Sequence, residues 1–113
     1  MIQNISETAF AYNVEDALRQ LGWQFYHPRP ARVKRHGRET YETPYSGHKG
    51  WLDYVALKPP RVLVFELKDN RKPMTPEQEE WWQLWEECKK SNPNIELYLW
   101  RPRDMDEILE LLK

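Results

Sequence analysis

Asp53, Glu66 and Lys68 are residues whose types and spacing could do chemistry together. They flank an apolar stretch whose middle reads Lys58-Pro59-Pro60-Arg61. Taken as the bend of a β-hairpin centred between the prolines, that middle pairs Leu57 with Val62, Val55 with Val64 and Asp53 with Glu66. Directly opposed residues of an antiparallel pair share a face, with Cβ atoms roughly 4.5–5.5 Å apart. Lys68 lies two residues past Glu66, so strand alternation puts it on the same face. Like charges that face each other are unfavourable, and the pair invites a cation. Hard divalent ions such as Mg²⁺ are held by one or two carboxylates plus substrate phosphates. Phosphodiester cleavage is the chemistry such a cluster can do. The plainer alternative is a pair of hairpin-edge charges neutralised by Lys68, and the register assumes no bulge at the prolines.

The elements that must position this cluster follow from the apolar pattern. Strands at 51–57 and 62–68 are apolar on both faces, which implies cover on both sides. Residues 6–21 read as an amphipathic helix, with Phe10, Val14, Ala17, Leu18 and Leu21 at helical steps and Gly22 as its stop. Glu7 sits on the apolar side of that helix near its start. It is either a carboxylate that meets a cation or donor, or the N3 residue of a capping turn begun by Asn4. Trp23–His27 reads as a short strand. The segment 28–38, with prolines and five Lys/Arg, reads as a flexible loop that tightens on phosphates, and 39–49 as further irregular chain.

After the hairpin, Thr75, Pro76 and Gln78 spell the N-cap, N1 and N3 positions of a helix running to about Lys90. Its Trp81, Trp82, Trp85 and Cys88 recur at helical spacing, as core residues do. Asn92-Pro93-Asn94 ends it, 95–100 form a last strand, and Asp104 caps a short terminal helix. The order is α-β-β-β-α-β-α: one α/β domain over residues 1–113, a mixed sheet flanked by helices, with a right-handed crossover after the hairpin.

Composition narrows the class. A chain of 113 residues with 40% hydrophobic and 31% charged residues suits one globular core. A lone Cys88, with His27, His36 and His48, argues against a disulfide or structural zinc. The absence of a signal peptide or a long apolar run leads us to expect a cytoplasmic protein with no membrane partner. Net charge is −1, yet residues 22–73 carry eleven basic and five acidic groups while 74–113 carry five and ten. A local basic excess around the proposed cluster is the footprint of a nucleic-acid binder. The candidate contacts are Arg29, Arg32, Lys34, Arg35, Arg38, His48 and Lys49.

Taken together, Ser6-Glu7, Gly22-Trp23 with Tyr26-His27, Gly50-x-x-Asp53, Glu66-Leu67-Lys68, Thr75-Pro76-Glu77-Gln78 leading to Trp81, and Trp100-Arg101-Pro102 carry a resemblance. The chain resembles the virus-type replication-repair nuclease (VRR-Nuc) branch of the PD-(D/E)xK superfamily over most of its length. It departs at Leu52, where the superfamily signature has proline. The resemblance implies a restriction-endonuclease-like α-β-β-β-α-β core and a Mg²⁺- or Mn²⁺-dependent DNA endonuclease, selective for Holliday junctions or other branched DNA. It implies that Asp53, Glu66 and the Leu67 carbonyl bind the metal and that Lys68 positions water and steadies phosphate charge. Glu7 would touch the metal through water, and Gln78 would orient water or substrate. On its own residues Lys68 is an electrostatic clamp rather than a base, since neighbouring carboxylates favour the ammonium. For Gln78 a capping-box bond to Thr75 serves equally well. Small stand-alone members of this family are thought to act as homodimers, and surplus aromatics at Trp51, Trp82, Tyr98 and Trp100 fit an interface. A catalytically silent DNA- or protein-binding module on the same scaffold is the alternative.

Overall fold

The computed structural model describes residues 5–29, 31–42 and 45–113, the side chains of Ala31, Val33 and Arg35 excepted. The chain opens with helix α1 (Glu7–Gln20). Ser6, not Asn4, is its N-cap and accepts the Ala9 N–H at 3.0 Å. Asn4 lies outside the described residues, and Glu7 becomes the first helical residue, so its capping-turn role falls away. The helix buries Phe10, Val14, Ala17 and Leu18 on one stripe, and Gly22 beyond its end takes a positive φ of 85°, as a helix stop requires.

Strand β1 (Gln24–Tyr26) pairs with β4 (Tyr54–Lys58), β4 with β5 (Arg61–Leu67), and β5 runs parallel to β6 (Ile95–Trp100), giving the order β1-β4-β5-β6. Helix α2 (Pro76–Lys89) makes the crossover between the two parallel strands, and α3 (Met105–Leu112) closes the chain. The mixed sheet flanked by helices, with its short terminal helix, is thus observed. The hairpin register also holds, with Leu57 opposite Val62, Val55 opposite Val64 and Tyr54 opposite Phe65. The strands sit slightly differently from 51–57 and 62–68, because pairing extends to Lys58 and Arg61 at the bend and stops short of Asp53.

One face of the sheet carries the main core. Tyr54, Ala56, Leu63, Phe65 and Leu67 pack with Phe10, Val14 and Leu18 of α1 and Ile108 and Leu112 of α3. The opposite face is thinner: Leu52, Val64 and Leu97 are buried there, capped by Trp82 and Trp85 of α2. A single helix shields only a strip of a sheet, and no residue of α2 is fully buried. Its tryptophans are therefore half-buried rather than core, Cys88 is exposed and Leu84 is 63% exposed. Trp100, by contrast, belongs to the main core and is no interface surplus. Asp104 starts α3 without a side-chain cap bond; its carboxylate accepts the Arg101 N–H at 2.8 Å.

The expected loop is partly a second sheet. β2 (Ala31–Arg35) and β3 (Arg38–Glu42) form an antiparallel ribbon joined by His36 and Gly37, with φ of 52° and 75°. Two positive φ values make the primed turn that matches strand twist. An isolated ribbon has two open edges, so its charges are tolerated.

Candidate active site

Where the β4–β5 ladder ends, two carboxylates carry it on. Asp53 and Leu67 lie just beyond the last paired residues, and their backbone N–H groups need acceptors. The Asp53 N–H donates to Glu66 Oε1 at 3.0 Å, and the Leu67 N–H donates to Asp53 Oδ2 at 3.2 Å. A serine or asparagine could accept such bonds without setting two acids side by side. Strand geometry sends the N–H and C=O of a residue to the same edge, so the Leu67 carbonyl faces the side on which Asp53 sits.

Glu66 is only 3% exposed. Burial first, and the charge of Asp53 second, push its carboxyl up to about 8, against the pull of Lys68. Burial likewise raises Asp53, with Glu7 adding in the same direction and the Leu67 N–H opposing. Lys68 Nζ lies 3.6 Å from Glu66 Oε2. Gln78 Nε2 donates to that same oxygen at 2.9 Å, while Gln78 Oε1 accepts the Thr75 N–H at 3.0 Å and the Gln78 N–H donates to Thr75 Oγ1 at 3.1 Å. Gln78 thus completes the capping box of α2 and, with the same side chain, reaches the Glu66 carboxylate. Arg101 fixes the connection between Lys68 and α2 by donating to the carbonyls of Asp69 and Lys72 at 2.6 and 2.7 Å.

Asp53 lines two cavities. The first, of about 480 Å³, lies along α1 and is lined by Glu7, Tyr12, Glu15, His27 and Arg29 among others. Glu7 is exposed there and shares the cavity with Asp53 rather than a core stripe. Arg29 reaches Glu15 at 3.6 Å. The second, of about 670 Å³, is lined by Tyr26, His27, Tyr45, His48, Lys49, Trp51 and Trp81. Of the basic set, Arg29, His48 and Lys49 therefore border Asp53. Arg32, Lys34 and Arg38 are exposed on the ribbon, where Arg32 approaches Glu39 at 3.9 Å, and the Arg35 side chain lies outside the described residues.

Sequence reasoning missed Glu15, Tyr54 and His27. Glu15 is buried on α1 and accepts the Tyr54 hydroxyl, which together with burial raises the Tyr54 phenol. The His27 ring stacks on Tyr54 at 4.2 Å, and Tyr54 in turn stacks on Phe65 at 4.8 Å. His27 Nδ1 is 3.0 Å from the Asp53 carbonyl, an acceptor only, so that nitrogen must donate. A stack rooted in the core thereby holds the Asp53 backbone. The one available signal was Glu15 itself, one position beside the apolar stripe of α1.

Among the described residues, no three His, Cys, Asp or Glu side chains are grouped to hold a metal. The donor set at hand is the sparser kind: two carboxylates and a backbone carbonyl, which suits a hard ion that keeps several waters. Each carboxylate oxygen has two lone pairs, so the observed N–H bonds leave room for an ion. Among the described residues, no helix is long and apolar enough to cross a membrane.

No family model matches the chain, and no curated protein matches it. Among solved structures, the chain is similar to an fdxN element excision controlling factor protein from Anabaena variabilis. That likeness has 17% identity and a TM-score of 0.39, over 92% of this chain and 77% of the other. It is similar to an XisH family protein from Nostoc punctiforme at 15% identity and the same TM-score of 0.39, over 89% and 84%.

Proposed function

We propose that the chain is a divalent-metal-dependent DNA endonuclease of the VRR-Nuc kind. The observation that carries this reading is the convergence of Asp53, Glu66 and Lys68 at the open end of the β4–β5 hairpin, with Glu66 buried, Asp53 half-buried and both held at raised proton affinity. Asp53, Glu66 and the Leu67 carbonyl would hold Mg²⁺ or Mn²⁺. When bound, such an ion lowers the pKa of a water and offsets charge on the phosphoryl group. The chain's own groups do the rest. Lys68, 12% exposed at its side chain, offers an ammonium to a phosphate oxygen beside Glu66. Gln78 steadies Glu66 and has a second amide hydrogen for a water or substrate oxygen. Glu7, across the first cavity, adds a carboxylate for outer waters. Branched DNA and a homodimer, which would place two such sites for paired cuts, belong to the same reading.

A cleavage panel of linear, splayed and four-way-junction DNA with and without Mg²⁺ tests it. Asp53→Asn should abolish Mg²⁺-dependent cutting, a loss well beyond the roughly 10–100-fold of an outer-shell change. Equal substrate loss by wild type and variant would sink the proposal. A silent binding module has no need of two facing acids, and would show DNA affinity with no heat of Mn²⁺ binding.

A further inference from the structure

The second cavity carries more aromatic surface than metal-dependent hydrolysis alone uses. Tyr26 and Tyr45 on its walls are 70% and 61% exposed, and Trp51 is 38% exposed. Three exposed rings around one opening, beside the half-buried Trp81, are left wet at the expense of apolar burial. Yet the wall is firmly built. The Trp81 Nε1–H donates to the Lys49 carbonyl at 2.7 Å, and Trp51 meets Trp81 edge-to-face with centroids 4.9 Å apart. Gly50, at φ of 90°, lies so close to the first turn of α2 that a Cβ there would fall 2.4 Å from the Glu77 carbonyl carbon. Glycine is what lets the 45–51 segment seat on that turn, and the seating carries the rings to the edge of Asp53.

The lining has a definite chemical preference. Rings offer π-faces, while Lys49 and His48 offer donors; among the described residues, the carboxylate that borders it is Asp53. An anion with a flat apolar group fits that combination, and about 670 Å³ is ample for one nucleotide. Bases inside a duplex are stacked on both faces and cannot reach a protein ring until they are extruded. An unpaired base presents both faces without that cost.

We infer that this cavity seats one unpaired nucleotide of the substrate strand, its base against Tyr26 and Tyr45 and its phosphate toward Lys49. The adjoining phosphodiester then lies at Asp53. The substrate class is DNA with an unstacked nucleotide beside the cleavage point, in preference to uninterrupted duplex. The position of the cut relative to that nucleotide rests on the nuclease reading; the pocket does not.

The test is a binding titration in EDTA, where no cleavage intervenes. The probes are a blunt DNA duplex and the same duplex with one overhanging 2-aminopurine nucleotide, whose fluorescence is quenched on stacking. Wild type should prefer the overhang by roughly fivefold to a hundredfold, the range of one base–aromatic stack. Tyr26→Ala with Tyr45→Ala should erase the preference and the quenching, while Tyr26→Phe with Tyr45→Phe should keep both. These side chains are exposed, and melting curves of the four-substitution set confirm that each variant folds. Equal affinity of wild type for the two probes, no binding of either, or an alanine pair that keeps the preference would overturn the inference. A preference that behaves as described, without Mg²⁺-dependent cutting, leaves the pocket standing and removes the hydrolase.

Discussion

Two cavities meet at Asp53 and differ in almost everything else. Along α1 the lining is acidic and, away from Glu7, already engaged: Glu15 takes the Tyr54 hydroxyl and draws in Arg19 and Arg29 at 3.5 and 3.6 Å. Across the strand ends the lining is aromatic and basic, with its rings open to solvent. Polar groups that satisfy one another rigidify a fold; exposed rings beside a cationic donor await a partner. The first cavity therefore reads as support that shapes the site, and the second as the place where a ligand enters. Asp53 serves both because its backbone is held from one side and its carboxylate faces the other residues of the pair.

The largest effect that could break this contrast is the pH dependence of stability. Glu66 is raised from 4.5 to about 8 in the fold, so the native chain keeps a proton that the unfolded chain releases. Stability from this group is complete below pH 4.5 and is lost as pH climbs toward 8. Asp53 is shifted the same way. Against wild type in EDTA, Glu66→Gln should gain relative stability between those limits, on the order of a few kcal/mol. Added Mg²⁺ should stabilise wild type more at pH 8 than at pH 5, since metal binding displaces the retained proton. Urea melts at both pH values decide this; a variant that loses ground as pH rises would make the pair purely structural.

Smaller, and aimed at the supporting cavity, is Tyr54→Phe. It keeps the ring stack with His27 and Phe65 but strands a buried Glu15 oxygen, which costs about 1–3 kcal/mol. Denaturant titration should show that loss, while preference for an unpaired nucleotide stays as in wild type. A parallel loss of that preference would mean the two cavities act as one.

The acid pair was legible because a hairpin bend at paired prolines converts sequence distance into spatial opposition. Leu57 opposite Val62 and Val55 opposite Val64 follow from that symmetry alone. The capping box at Thr75 and Gln78 was legible for a similar reason: local chemistry at fixed spacing. Glu15 was opaque, since its meaning lies with Tyr54, 39 residues away. The aromatic cavity was opaque too, because Tyr26, Tyr45, Trp51 and Trp81 come from separate segments brought together by Gly50 and the Trp81 N–H. Charge hid the β2–β3 ribbon: His36-Gly37 is the turn signal, but the run of basic residues around it reads as solvated chain.

The smallest expected effect concerns that ribbon. If Arg32, Lys34 and Arg38 touch phosphates, replacing all three by Ala should flatten the dependence of log K on log salt by up to about three units. Stabilisation by Mg²⁺ should be untouched. An unchanged salt slope would confine DNA contact to the cavities and leave the ribbon aside.

Gln78 has a consequence for how Glu66 and the start of α2 move together. One amide side chain closes the first turn of α2 with its oxygen and restrains Glu66 with its nitrogen. Fraying of that turn, a local opening common at helix ends, therefore takes the amide donor from Glu66 Oε2 while Oε1 keeps the Asp53 N–H. The Gln78 bond to Glu66 and the integrity of the helix start are therefore coupled. Amide exchange at Gln78 and Glu79, whose N–H groups bond to Thr75, then measures how often Glu66 loses that donor.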